Sequence, residues 1–333
     1  MEKIKDIDYL YASTRIKALE RSLVTNERLK RMAEAKSDEE FLKVLDECGY
    51  GEISSISQIS AAIAEKRSEV INDVLQLAPD KKVVQVFLLK YDYHNLKAII
   101  KGQAANAEYE STLMETGNIS IKQMLETTGS TVIGSDGRLS GIMKSSANEA
   151  RDLLARTGDS RLADTVLDKA CFAEMLKLAA EAGSLFLTDY IKLLIDSVNL
   201  RTAVRLKRMK QDSSIIAKYL IDGGNGTSAR LKTEITPESL VSAFESSPLK
   251  ATAIVAAEAL REGTGLAAVD TQAENTLLDY LKNAKYIAFG EQHIAAYIAA
   301  RETEFTALNM VMAGRKAEMS SEDVMERLRE TYV

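Results

Sequence analysis

Residues 91–97 read Tyr91-Asp92-Tyr93-His94-Asn95-Leu96-Lys97, and the pattern returns at 195–201 as Ile195-Asp196-Ser197-Val198-Asn199-Leu200-Arg201. A degraded copy follows at 303–309, Thr303-Glu304-Phe305-Thr306-Ala307-Leu308-Asn309. The shared form is acid-x-x-Asn-Leu-basic, continued four residues on by Lys101 and Arg205 in the first two copies. Asp92 to Asp196 is 104 residues and Asp196 to Glu304 is 108. Three matches at near-equal intervals identify an internal repeat, which decides the architecture before local propensity does.

On a helical wheel, residues 83–102 spread Val84, Phe87, Leu88, Leu89, Tyr91, Leu96, Ala98, Ile99 and Ile100 over a broad apolar arc. Lys90, His94, Lys97 and Lys101 gather on a narrow basic stripe. Asp92 and Asn95 fall inside the apolar arc, where an acid and an amide are costly unless hydrogen-bonded. One reading makes Asp92 a catalytic carboxylate. The other makes Asp92 and Asn95, with their echoes Asp196, Asn199 and Glu304, core polar positions that tie each helix to the end of a neighbour. An active site has no reason to recur three times, whereas a packing device does. The second reading is therefore preferred, with Ala307 predicting a third unit that closes its core differently.

Composition agrees with an all-α fold. Only 3 prolines and no tryptophan occur, and hydrophobic residues make up 46 % of the 333 residues. This favours long uninterrupted helices in a globular chain. Helix starts are legible at Ile119-Ser120, at Ile235-Thr236-Pro237-Glu238 and at Met319-Ser320-Ser321-Glu322-Asp323, the last with capping-box spacing. Turn-rich breaks lie at Gly129–Gly137, Asp222–Ser228 and Gly263–Gly265. Together they predict three similar helical-bundle units at 1–115, 116–222 and 223–333.

The net charge of −6 disfavours nucleic acid as a partner. Against that acidic background, Arg201, Arg205 and Arg208 share a helix face beside Lys207 and Lys210. With Lys97 and Lys101 they are candidate contacts for an acidic partner surface. The charged opening Met1–Leu10 lacks the apolar core of a secretory signal. No stretch approaches the roughly 20 apolar residues of a membrane-spanning helix. Cys48 and Cys171 read as small apolar residues in a reducing compartment. His94 and His293 have no metal-ligand spacing and read as surface or boundary residues. Gly223-Gly224-Asn225-Gly226 lacks the Lys-Ser/Thr of a phosphate loop and reads as a turn. No catalytic, cofactor or metal residues are predicted.

The run Tyr9-Leu10-Tyr11-Ala12-Ser13-Thr14-Arg15-Ile16-Lys17-Ala18-Leu19-Glu20 resembles the opening of the C subunit family of A/V-type ATPases, whose vacuolar members are called d subunits. Asp92–Lys97 and Asp196–Arg208 resemble that family's hallmark segments, and Glu302–Arg329 its C-terminus. Ala307 and Asn309 depart from the Asn and Arg that the family tends to have there. The resemblance implies three similar helical domains around a pseudo-threefold axis, forming a funnel on the cytoplasmic face of the membrane proteolipid ring. The funnel receives the central stalk, turns with the rotor and carries no catalysis of its own while the complex transports protons or sodium. It implies a cytoplasmic, peripheral location through the complex, with a single copy per complex. The rival expectation from the residues alone is a free-standing helical-repeat scaffold, and a distant third is an all-helical enzyme.

Overall fold

Scarcity of helix breakers translates into helix length. In the computed structural model, which describes residues 6–333, the three motif copies lie on Lys82–Ala105, Leu185–Arg208 and Glu291–Lys316, each of 24 residues or more. The fold is all-α, with no strand among the described residues. The first five residues, part of the charged opening stretch, lie outside the described residues.

The chain forms two compact units, one from Gln85–Ser246 and one joining the described residues up to Val84 to Ser247–Val333. In the first, Gly141–Thr157 packs along Ser160–Ala182, which packs on the second motif helix. The short helices Ser213–Tyr219 and Thr227–Leu231 return onto that same helix. The second unit repeats the plan. Lys250–Glu262 packs on Ala267–Lys282, which packs on the third motif helix. Around that helix gather Leu10–Leu19, Asn26–Glu34, Ile59–Leu77 and Ser321–Arg327.

Local signals set the corners. Gly183 ends Ser160–Ala182 at φ +72°, a left-handed conformation that glycine adopts without steric penalty. Ser184 then caps Leu185–Arg208 by accepting from Leu187 N–H. The three starts read from the sequence lie where the caps are. Ser120 and Thr236 form capping boxes with Gln123 and Ser239, and Ser320 accepts from Asp323 N–H. At the third, the reciprocal bond runs from the Ser320 hydroxyl to Asp323 Oδ2.

Each motif helix buries much of its circumference, which is why the wheel separates only a narrow polar stripe. Leu96, Leu200 and Leu308, the motif leucines, are all fully buried. Leu200→Ala should lower stability by about 2–5 kcal/mol, read from the urea midpoint, because the surrounding helices relax only partly into the space left. A loss below about 1 kcal/mol would mean that the motif leucine is not a core position.

Candidate functional site

The repeated acid and amide build a clamp. On the first motif helix, Asp92 and Asn95 lie one turn apart and both are fully buried. The Asn95 amide spans the backbone of Met114, donating to its carbonyl at 2.8 Å and accepting from its N–H at 2.9 Å. Four residues on, Asp92 accepts from Asn118 N–H at 3.2 Å, the Asn118 side chain at 2.8 Å and Ile119 N–H at 3.0 Å. Ser120 immediately follows as the N-cap of Ile121–Thr128. The carboxylate thus holds the entry to a helix, where negative charge is favoured.

The second motif helix repeats the arrangement. Asn199 spans Ile221 with two bonds of 2.8 Å. Asp196 accepts from the Asn225 backbone and side chain, each at 3.0 Å, one residue before the N-cap Gly226 of Thr227–Leu231. The clamped helix is Thr227–Leu231, not the later one begun by Thr236 that pattern matching pairs with Ser120. The Gly223–Gly226 turn therefore has a structural occupation: it is the segment that Asp196 grips.

On the third motif helix, Glu304 is buried among different partners. It accepts from Val24 N–H at 2.8 Å and the Tyr50 hydroxyl at 2.5 Å, and pairs with Arg301 at 2.9 Å. Arg301 also bonds Tyr297 and the Ser22 hydroxyl. Burial, reinforced by Glu304, pushes the Tyr50 phenol far above its ordinary range, so it remains a proton donor.

Among the predicted basic contacts, Lys97 and Lys101 turn inward to the helix Ser160–Ala182. They pair with Asp168 at 2.5 Å and Asp164 at 3.1 Å, and Tyr93 donates to Glu174 on the same face at 2.8 Å. His94 bonds Thr112 O at 3.0 Å. Arg201 and Lys207 are half-buried, while Arg205, Arg208 and Lys210 are exposed at the end of the second motif helix. His293 corrects the expectation of a surface or boundary residue. It is only 1 % exposed, its ring bonded to Ile287 O at 2.9 Å, and burial holds its pKa below the ordinary value.

Sequence reasoning missed the partner half of each clamp. A Gly-Asn dipeptide follows the first two acids, Gly117-Asn118 and Gly224-Asn225, and both glycines are needed. A Cβ on Gly117 would lie 2.4 Å from Asp92 Oδ1, and one on Gly224 2.2 Å from Asp196 Oδ1. The pair is a weak mark, since it stands 26 residues after the acid in the first copy, counted to the asparagine, and 29 in the second. No comparable signal marks Val24 or Tyr50, more than 250 residues from Glu304.

Gly117→Ala and Gly224→Ala should each lower stability by about 2 kcal/mol or more in denaturant melts, since each forces a carboxylate off its donors. Unchanged midpoints would show that the turns have room to give. Burial pushes the Asp92 carboxyl up to about 6, against the pull of the Ile119 and Asn118 donors and with Glu174 adding to the rise. The folded-state value lies above the unfolded one, so this residue's contribution is full below about pH 4 and lost as pH rises through about 6. Relative to Asp92→Asn, the wild type should lose up to about 3 kcal/mol of stability between pH 4 and 7. A pH-independent difference would contradict burial as the dominant influence.

The chain matches the ATP synthase (C/AC39) subunit family over residues 12–327. It is 18 % identical over 331 residues to the C subunit of the V-type sodium ATPase of Enterococcus hirae, covering 98 % of this chain and 99 % of that protein. It is 22 % identical to the C subunit of the A-type ATP synthase of Methanocaldococcus jannaschii, covering 96 % and 86 %. With the corresponding A-type ATP synthase C subunit of Pyrococcus horikoshii it shares 23 % identity, over 71 % of this chain and 66 % of that one, so it spans about two thirds of that relative's length. A match that takes in all three clamp-bearing helices leaves one assignment: the chain belongs to the ATP synthase (C/AC39) subunit family.

Proposed function

We propose that this chain is a non-catalytic rotor subunit of an A/V-type ATPase, a socket that couples the central stalk to the membrane proteolipid ring. The observation that carries this reading is the family match across residues 12–327, together with full-length similarity to the C subunit of a V-type sodium ATPase. The three units, divided near residues 115 and 222, then stand around a pseudo-threefold axis as the walls of a funnel. The complex holds one copy, at the cytoplasmic face of the membrane. No helix among the described residues is long and apolar enough to cross a membrane. In this reading, attachment runs through the ring.

The mechanical demand explains the clamps. Each elementary charge moved across 100 mV stores about 2.3 kcal/mol, which a coupler transmits as torque. Local sub-global opening competes with transmission wherever a helix end is held only by weak contacts. A buried carboxylate fixing the start of a neighbouring helix raises the free energy of such openings and so keeps each wall rigid.

The cations at the end of the second motif helix, exposed Arg205, Arg208 and Lys210 with half-buried Lys207, are the proposed meeting point with an acidic surface of the stalk or ring. Opposite charges across a rim speed encounter and fix register more than they add affinity.

The test is isolation of the complex from detergent-solubilised membranes with a tagged chain. Stalk and ring subunits should co-purify, and the chain alone should hydrolyse no ATP. Recovery of the chain with neither partner would favour a free-standing scaffold. Charge reversal at Arg205, Lys207, Arg208 and Lys210 should weaken recovery of one partner and make it salt-sensitive. Undiminished assembly would remove this cluster from the interface.

A further inference from the structure

The third clamp differs from the others in where its gripped segment comes from. In the first two copies the acid holds chain that follows its own helix, 26 residues on at Asn118 and 29 residues on at Asn225. The chain that follows the third motif helix does not supply the grip. Glu304 instead holds Val24, 280 residues earlier.

The register nevertheless matches. Val24 immediately precedes Thr25, the N-cap of Asn26–Glu34, as Asn225 precedes Gly226 and as Asn118-Ile119 precedes Ser120. In every copy, then, an acid one turn before the Asn/Ala position holds the backbone just ahead of a short helix. Each acid accepts at least one backbone N–H from that entry segment. The helix Asn26–Glu34 accordingly occupies the place of Ile121–Thr128 and Thr227–Leu231, packed on the third motif helix.

We propose that residues 20–34 are the closing element of the third repeat, and that the Glu304 contact is a latch joining the chain's N-terminal segment to its C-terminal part. The first two clamps are closed by a short covalent tether, so release of the carboxylate leaves the gripped turn beside its helix. The third has no tether of that length. Val24, Tyr50 and the Arg301–Ser22 contact converge on one turn of one helix, and further along that helix Arg315 holds Ala35 O and Asp38 at the far end of the segment. This clamp is therefore the separable seam of this unit, whatever the unit's partners are. The inference rests on geometry within one compact unit and does not depend on the socket reading.

Hydrogen exchange on the full-length chain tests the latch. Glu304→Gln keeps the shape but removes the charge opposite Arg301 and one acceptor. Peptides covering residues 20–34 should exchange at least about 10-fold faster in this variant. Peptides covering Ala267–Lys282, and those covering 185–199 in the other unit, should keep the wild-type rate. Tyr50→Phe, which removes one donor and leaves the carboxylate in place, should produce the same pattern to a smaller degree. Asp92→Asn should leave residues 20–34 unaffected. Acceleration spread evenly over the unit, or none at residues 20–34 in either variant, would overturn the proposal.

Discussion

A carboxylate carried on the buried side of a helix is tolerable only when its oxygens are filled, and here backbone N–H groups at the entry to another helix fill them. The exchange solves two problems together. The backbone leading into a helix has N–H groups with no ladder partner, and an acid in a core has no water. Asp92 with Asn118 and Ile119, Asp196 with Asn225, and Glu304 with Val24 are three instances. Everything around them follows from the need to bring a loop against the flank of a long helix. The glycines at 117 and 224 let the backbone approach. The amides at 95 and 199 hold the chain four residues upstream.

Electrostatic surroundings distinguish the copies. Asp92 faces neutral donors and has the Glu174 carboxylate as its neighbour, so burial dominates its titration. Glu304 has Arg301 beside it, a pair with 3 % exposure on each side chain. Removing one partner of such a pair leaves the other charge buried, and the loss exceeds the pair's own net worth. The third copy thus substitutes a charged pair for the turn that the other copies keep nearby in sequence.

How far this was legible depends on sequence distance. Helix type, the long motif helices and the caps at Ser120, Thr236 and Ser320 rest on periodicity and on residues within four positions of each other. The burial of Asp92 and Asn95 could be read from the wheel for the same reason. Their partners could not, because a turn 19 to 29 residues away carries only the weak mark of a Gly-Asn pair. The inward pairing of Lys97 and Lys101 was illegible for a related reason. A basic stripe looks alike whether water or the acids of a neighbouring helix face it, and Asp164 and Asp168 are more than 60 residues away. The Val24–Glu304 contact joins opposite ends of the chain and has no local signature at all.

The alanine at position 307 has a physical reason within this scheme. Met114 and Ile221 lie in chain outside any helix, and each offers a backbone N–H and C=O that Asn95 and Asn199 satisfy. The equivalent residue in the third copy, four before Val24, is Glu20. It lies where Leu10–Leu19 runs on into a further helical turn. Its N–H already donates to Ile16 O, and its C=O accepts from Leu23 N–H. An asparagine at 307 would bring four hydrogen-bonding sites toward a backbone whose N–H and C=O at Glu20 are already paired. Alanine avoids that penalty, and the space beside it closes to a cavity of about 10 Å³ against Leu23, Val24 and the C-terminal residues Arg329–Tyr332. The loss of the motif's amide and the recruitment of the N-terminal segment are one event seen from two sides: when a helix supplies the closing element, its backbone arrives already paired.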